Sequence, residues 1–155
     1  MKKSALELYV DGGARGNPGP SAYAVIIIDA DEEMELVRET RFLGQGTNNE
    51  AEYEGLIAGL DLCRQFAPNI VFAHSDSQLV IQQMLNNWKI KEPRLQKLFN
   101  RAISSESNLK QVNYKHVPRT HNLIQKADEL VNQCLDNNII RRPDLCPDKG
   151  SLKFL

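Results

Sequence analysis

Four acidic residues occur at the ends of predicted strands and helices, next to small polar neighbours: Asp11, Glu52, Asp76 and Asp128. The first ends a strand, the second lies in the first turn of a helix, the third follows another strand, and the fourth lies early in the last helix. If the fold gathers these carboxylates at one edge of a sheet, their repulsion requires a cation between them. Carboxylate oxygens are hard ligands that suit Mg²⁺ or Mn²⁺. A site for such an ion is therefore the first hypothesis.

The composition is that of one globular domain. The chain has 155 residues, and 19 basic against 20 acidic residues give a formal net charge of −1. This balance counts against a high-affinity nucleic-acid binder, but not against an enzyme that binds through a local patch. Cys63 and Cys134 fall on apolar helix stripes, so we expect buried thiols in a reducing cytosol. No apolar run approaches the ~20 residues of a membrane span. We therefore expect a cytoplasmic protein without membrane contact.

Hydrophobic periodicity predicts a mixed α/β domain with elements in the order β-β-β-α-β-α-α-β-α. The predicted strands are 5–10, 22–29, 35–44, 70–74 and 109–116. The predicted helices are 49–65, 77–85, 93–104 and 123–137. Three strands joined by short links form an antiparallel meander, and two parallel strands follow, which gives a five-stranded mixed sheet flanked by helices. We assign residues 1–140 to this domain and 141–155 to a C-terminal tail that packs on the body or serves a partner.

This sheet offers a way to bring two of the acids together. A central first strand beside a parallel fourth strand would place Asp11 and Asp76 at the carboxyl ends of neighbours, where open α/β sheets bind ligands. The helix macrodipole favours the negative charge of Glu52. Residues 11–21 read as a glycine- and proline-rich turn that fits neither a P-loop nor the G-x-G-x-x-G pattern, so no nucleotide cofactor is expected.

Six short motifs, in their order and spacing, resemble type 1 ribonuclease H over about residues 5–137. They are LYVDGG at 8–13 with GNPGP at 16–20, TNNEAEY at 47–53, SDSQLV at 75–80, WKIK at 88–91, HVPR at 116–119 and ADEL at 127–130. The resemblance implies the fold already expected and an active site formed by the four acids. It also implies an endonuclease that hydrolyses the RNA strand of RNA–DNA hybrids. The implied cofactor is a pair of Mg²⁺ ions, replaceable by Mn²⁺, and the products carry 5′-phosphate and 3′-hydroxyl ends.

The resemblance also implies where the hybrid would bind. The implied positions are Gly12, Gly13, Asn17, Thr47, Asn48, Asn49 and Gln78. RNA is distinguished by its 2′-hydroxyl groups, which the backbone of the two glycines and the side chains of Asn48 and Gln78 would contact. Thr47 and Asn49 match positions that contact the DNA strand, Thr47 at its phosphate. Both are also ordinary helix-capping residues, and the two roles are compatible.

The chain departs from the family pattern in several places. The sequence Ile124-Gln125-Lys126-Ala127-Asp128 lacks the Asn of the Asn-Lys-x-Ala-Asp pattern that often precedes the last acid, so the loop geometry around Asp128 is left open. Many members carry a mobile catalytic histidine before the last acid; His121 is either that residue, acting in catalysis or product release, or an ordinary loop histidine. The chain has no basic protruding helix between Met84 and Arg94, which places it in the subfamily without it. Trp88 with Lys89 and Lys91 either replaces that helix in part, giving weak and salt-sensitive binding, or Trp88 fills the core.

Three other functions are alternatives. A binding module for hybrid or double-stranded RNA could keep this fold after losing cleavage, although all four acids are present. A nuclease of the same fold could act on double-stranded RNA or on DNA. A metabolic enzyme with a doubly wound parallel sheet is disfavoured by the three-strand meander.

Overall fold

The structure, a computed structural model that describes residues 2–141, contains the predicted elements in the predicted order. The strands are β1 (Ala5–Ala14), β2 (Gly19–Asp29), β3 (Met34–Gly46), β4 (Ile70–Ser75) and β5 (Val112–His116). The helices are α1 (Asn48–Cys63), α2 (Gln78–Met84), α3 (Pro93–Glu106) and α4 (Asn122–Arg141), and a 3₁₀ turn, Arg64–Phe66, follows α1. Apart from Arg141, the predicted tail lies outside the described residues. None of the helices within 2–141 is both long and apolar enough to cross a bilayer.

The five strands form one mixed sheet in the order β3-β2-β1-β4-β5. The pairs β1–β2 and β2–β3 are antiparallel, whereas β1–β4 and β4–β5 are parallel. The predicted meander with two added parallel strands is therefore confirmed. As expected, β1 is central and lies beside the parallel strand β4, with Tyr9 opposite His74. This register carries Asp11 and Asp76 to the same edge of the sheet.

The predicted turn at 11–21 is wrong at both ends. Strand β1 runs on to Ala14 and β2 begins at Gly19, with Gly12 paired to Tyr23 and Ala14 to Ser21. The glycines suggested a bend, but a glycine also lets an extended strand lie close against another backbone. Asp11 is therefore inside β1 and not at its end. Only residues 15–18 remain for the turn, with a cis peptide bond between Asn17 and Pro18.

The sheet is covered on both faces, so the protein has two apolar layers. One face packs against α1, α2 and α3 through side chains such as Leu8, Val25 and Leu60. The other face packs against α4 through side chains such as Ile26 and Val131. In β2 alternate residues go to opposite layers, which explains its continuously apolar sequence.

The helix that carries Glu52 begins where its capping box predicts. The N–H of Glu50 donates to Thr47 Oγ1 at 3.1 Å, and the N–H of Thr47 donates to Glu50 Oε1 at 3.0 Å. Glu52 is the fifth residue of α1, and the acid in the first turn is Glu50, so the expected first-turn position of Glu52 is wrong by one residue. Of the two cysteines expected inside, Cys63 is fully buried and Cys134 is half-buried.

Candidate active site

Three of the four predicted acids meet at one edge of the sheet. Asp11 in β1, Glu52 in α1 and Asp76 directly after β4 each offer a carboxylate oxygen, and these oxygens all lie within 4.8 Å of one another. Asp11 and Glu52 are only 6% and 7% exposed, and the Asp76 side chain is 11% exposed. Three carboxylates this close and this buried repel one another strongly unless protons or cations intervene.

Strand β1 and helix α1 approach so closely that their backbones touch at the site. The N–H of Gly12 donates a hydrogen bond to Glu52 Oε1. A Cβ atom at Gly12 would lie 2.4 Å from the carbonyl carbon of Ala51, so no other residue fits without moving the helix. This contact fixes Glu52 beside the residue that follows Asp11.

Burial and like charges alter the protonation of the group. Burial, followed by the negative charges of Asp76 and Asp128, raises the pKa of Asp11 to about 8. Burial and the charge of Asp11 raise the pKa of Glu52 well above its usual range. With its pKa at about 8, Asp11 holds a proton at neutral pH in the absence of metal. The same raised pKa values mean that cations can replace this proton with a gain in electrostatic free energy.

The fourth acid, Asp128, lies at the same site but outside the group of three. It is on an exposed part of α4, and its charge is close enough to raise the pKa of Asp11. All four acids line one cleft of about 370 Å³. All four acids thus line the same cleft, and Asp128 is the exposed one among them.

Divalent cations fit this donor set. Four carboxylates offer only hard oxygen atoms, which Mg²⁺ and Mn²⁺ prefer. The cluster of three is buried, and the cation that contacts it from the described part of the chain is Arg119, whose Nε lies 3.4 Å from Asp76 Oδ2. The Arg119 side chain is 89% exposed, so solvent screens this ion pair and it compensates little of the negative charge.

The predicted hybrid-binding residues fall into two groups. Four of them line the cleft with the acids: Gly12, Gly13, Asn48 and Asn49. Asn17, Thr47 and Gln78 lie at the ends of neighbouring elements and do not line it. Asn48 connects the start of α1 to the end of β1 and to the turn that follows it. Its Oδ1 accepts a hydrogen bond from the Ala14 N–H at 2.7 Å, and its N–H donates to Asn17 Oδ1 at 2.9 Å.

His121 does not line the acidic cleft. Its Nδ1 accepts a hydrogen bond from the Leu123 N–H at 3.1 Å, as in a cap at the start of α4. Its ring stacks on Tyr9 with centroids 5.1 Å apart, and Tyr9 in turn stacks on His74 at 4.3 Å. His74 is buried, and burial lowers its pKa. His116 ends β5, as expected, with its Nε2 3.2 Å from the Asp76 carbonyl oxygen.

The segment without a protruding helix carries an exposed aromatic residue. Trp88 is 48% exposed, so the alternative that it fills the core is wrong. Its segment is held by neighbouring glutamines: the Trp88 N–H donates to the Gln82 carbonyl at 3.3 Å, and Gln83 Nε2 donates to the Lys89 carbonyl at 3.4 Å. Trp88 is thereby presented to solvent between two helices.

Seven residues that line the cleft were not predicted as site residues: Ala14, Arg15, Ser77, Arg119, Val131, Asn132 and Leu135. Arg119 lies in the HVPR motif, where the spacing alone indicates no role for it. Arg15 and Asn132 lie far apart in sequence, and only the packing of α4 against the sheet brings them together. The one signal in the sequence was that Arg15 lies four residues after Asp11. A basic residue this near an acidic one is too common to indicate a site residue.

Comparison with known proteins places the chain among nucleases. The family model described as reverse transcriptase-like matches residues 9–134. The bifunctional protein Rv2228c of Mycobacterium tuberculosis is 42% identical over 126 residues, which cover 81% of this chain and 34% of that protein. This chain thus spans about a third of that relative's length. Ribonuclease H of Pseudomonas fluorescens is 31% identical over 146 residues, covering 85% of this chain and 91% of the relative.

Solved structures of ribonuclease H proteins are also similar to this chain. The N-terminal RNase H domain of Rv2228c superposes with a TM-score of 0.81 at 39% identity, covering 87% of this chain and 96% of that one. LC11-RNase H1, solved in complex with an RNA/DNA hybrid, superposes with a TM-score of 0.79 at 34% identity, covering 86% and 99%.

Proposed function

This chain belongs to the ribonuclease H family, and from that premise we propose that it is a metal-dependent endonuclease acting on the RNA strand of RNA–DNA hybrids. The observation that carries the proposal is the convergence of Asp11, Glu52 and Asp76 within 4.8 Å in an open cleft that Asp128 also lines. A module that only bound nucleic acid would gain nothing from three buried carboxylates, because they repel phosphates as well as one another.

The four acids would hold two Mg²⁺ ions, with Mn²⁺ as a substitute. Asp11, Glu52 and Asp76, whose carboxylate oxygens lie within 4.8 Å of one another, would hold the ions, and Asp11 would contribute to both. Asp128 would support them from the exposed side of the cleft. Bound there, such a pair supplies an activated water and stabilises the leaving 3′ oxygen, which gives 5′-phosphate and 3′-hydroxyl ends.

Three residues besides the metal-binding carboxylates of Asp76 and Asp128 would affect this reaction: Gly12 through Glu52, Asp11 through its protonation, and Arg119. The Gly12 N–H fixes one oxygen of Glu52, so this carboxylate is oriented before any ion binds. Asp11 would hold a proton until cations compensate the like charges around it, since burial and the charges of Asp76 and Asp128 raise its pKa to about 8. Arg119 covers Asp76 from the solvent side and would move toward the phosphates of the substrate.

Recognition of the hybrid is proposed to use both sides of the cleft. Asn48 and the backbone of Gly12 and Gly13 lie next to the acids, where a 2′-hydroxyl of the RNA strand would be read. Thr47 and Asn49 at the start of α1 would contact the DNA strand, joined by the neighbouring Asn17 and Gln78. Trp88, Lys89 and Lys91 would provide stacking and phosphate contacts farther along the duplex.

The test is cleavage of matched duplexes. End-labelled RNA–DNA hybrid, double-stranded RNA and double-stranded DNA are incubated with the protein in Mg²⁺, Mn²⁺ or chelator, and the product ends are analysed. We expect metal-dependent cutting of the RNA strand in the hybrid alone, with 5′-phosphate and 3′-hydroxyl ends. Cutting of double-stranded RNA at a similar rate would contradict the hybrid assignment.

The matched variants are Asp11→Asn and Asp61→Asn. Asp61 is an exposed carboxylate on α1 that does not line the cleft, so its loss controls for a change of charge. We expect no cutting by the first variant and unchanged cutting by the second. Hybrid that is bound but not cut by the wild-type protein would favour the inactive binding module.

A further inference from the structure

Asp128 differs from the other three acids because, within residues 2–141, no buried side chain bonds to its carboxylate. It lies on an exposed part of α4, outside the group whose oxygens lie within 4.8 Å of one another. An exposed aspartate samples several rotamers, and fixing one of them has an entropic cost. The contacts around Asp128 therefore decide how often it points toward the metal site.

One amide group makes those contacts. Asn132, one helical turn after Asp128, donates from Nδ2 to Asp128 Oδ2 at 3.4 Å and to the Asp128 carbonyl at 3.1 Å. The contact with Oδ2 limits the rotation of the Asp128 carboxylate. The contact with the backbone carbonyl limits the rotation of the Asn132 amide.

The amide is oriented in turn by Arg15, in the turn that follows β1. Arg15 Nη2 donates to Asn132 Oδ1 and to the Asn132 carbonyl, both at 3.3 Å. Arg15 Nη1 pairs with Asp136 Oδ1 at 2.6 Å. With its oxygen held by Arg15, the Asn132 side chain has only its NH₂ group to present to Asp128.

Arg15 lies four residues after Asp11, in the turn that continues β1. The series Arg15–Asn132–Asp128 therefore joins the segment that carries the first acid to the helix that carries the fourth. We propose that Arg15 and Asn132 are positioning residues, which hold Asp128 toward the metal site. The proposal rests on the proposed function in so far as it takes Asp128 as a ligand.

The test measures Mg²⁺ binding without nucleic acid. The full chain, labelled with ¹⁵N and ¹³C, is titrated with Mg²⁺ while NMR follows the Gly12 amide and the Asp128 carboxylate. We expect Asn132→Ala and Arg15→Lys to raise the half-saturating Mg²⁺ concentration by about tenfold, as is common when partners of metal ligands are removed. Arg15→Lys keeps the charge but cannot contact Asn132 and Asp136 together.

The matched control is Arg38→Lys. Arg38 also pairs through its guanidinium, with Glu35 at 2.8 Å, but on β3 and away from the cleft. We expect the Arg38→Lys variant to bind Mg²⁺ as the wild type does. Thermal unfolding of each variant establishes that the chain still folds.

A double variant separates positioning from a general loss of structure. If Asn132 acts through Asp128, adding Asn132→Ala to Asp128→Asn weakens Mg²⁺ binding no further. Additive losses would overturn the proposal. So would an Arg15→Lys variant that binds Mg²⁺ normally but binds hybrid more weakly in chelator, because Arg15 would then be a phosphate ligand. Failure of the proposed function is distinct: the wild type would bind Mg²⁺ but leave hybrid uncut.

Discussion

The amide of Gly12 donates a hydrogen bond to the carboxylate of Glu52, 40 residues later in the chain. One contact thus joins the central strand to the helix that covers it, at the residue next to Asp11. The same closeness that makes this bond possible excludes any side chain at position 12.

Gly12→Ala is expected to destabilise the fold. Its Cβ would lie 2.4 Å from Ala51 C and 2.6 Å from the Glu52 N, and neither backbone atom can move without shifting α1. Overpacking of this kind costs about 1–3 kcal/mol, measurable by urea unfolding. Gly13→Ala is the matched control, since its Cβ would be 3.8 Å from Asn48 Oδ1, an ordinary contact. Equal stability of the two variants would contradict the close approach.

Asp11→Asn is expected to stabilise the metal-free protein in a pH-dependent way. The folded-state pKa of Asp11, about 8, lies above its ordinary value of 3.8, so the folded protein keeps a proton that the unfolded chain loses. Wild-type stability is therefore full below pH 4 and falls as the pH rises toward 8. The asparagine has no proton to lose.

The measurement is urea unfolding in chelator at pH 4 and pH 7.5. We expect the variant to be the more stable at pH 7.5 by about 1 kcal/mol or more, with little difference at pH 4. Added Mg²⁺ should remove the wild type's disadvantage, because cations replace the protons. A constant difference at both pH values would show that the effect is not one of protonation.

His121 allows capping and catalysis to be separated. The variant His121→Ala loses the Nδ1 atom that accepts a hydrogen bond from the Leu123 N–H. We expect this loss to lower the free energy of unfolding by about 1 kcal/mol, a usual value for an N-terminal cap. His121→Asn keeps a capping group and should restore that stability. We expect both variants to turn over hybrid more slowly than the wild type, without abolishing cleavage. An unchanged rate at saturating substrate in His121→Asn would leave His121 with a structural role only.

Hybrid binding should depend on salt through the segment around Trp88. The double variant Lys89→Ala/Lys91→Ala is expected to weaken binding and to lower the slope of log Kd against log salt by about one for each phosphate that the protein no longer neutralises. Lys2→Ala/Lys110→Ala is the control, because these lysines precede β1 and β5, at the opposite edge of the sheet from Asp11. Equal effects of the two double variants would indicate unspecific attraction.

The sequence predicted the sheet and the four acids because both depend on strong local signals. The alternation of β1 and the capping box of Thr47 and Glu50 are set by neighbouring residues. The glycines at 12 and 13 were misread as a bend, since close backbone approach and turning both require glycine and only the packing of α1 decides between them. The contact of Arg15 with Asn132 spans 117 residues and has no local signal.

The two apolar layers on either side of the sheet divide the four acids between elements that pack in different layers. Glu52 is carried by α1, which shares the larger layer with α2 and α3, whereas Asp128 is carried by α4, the one helix within residues 2–141 that packs on the opposite face. Sub-global opening of that one helix removes the fourth carboxylate and leaves the other three assembled. Amide hydrogen exchange in α4 would then report how often the site is complete, independently of global unfolding. Activity can thus be lost by undocking a single helix from a protein that remains folded.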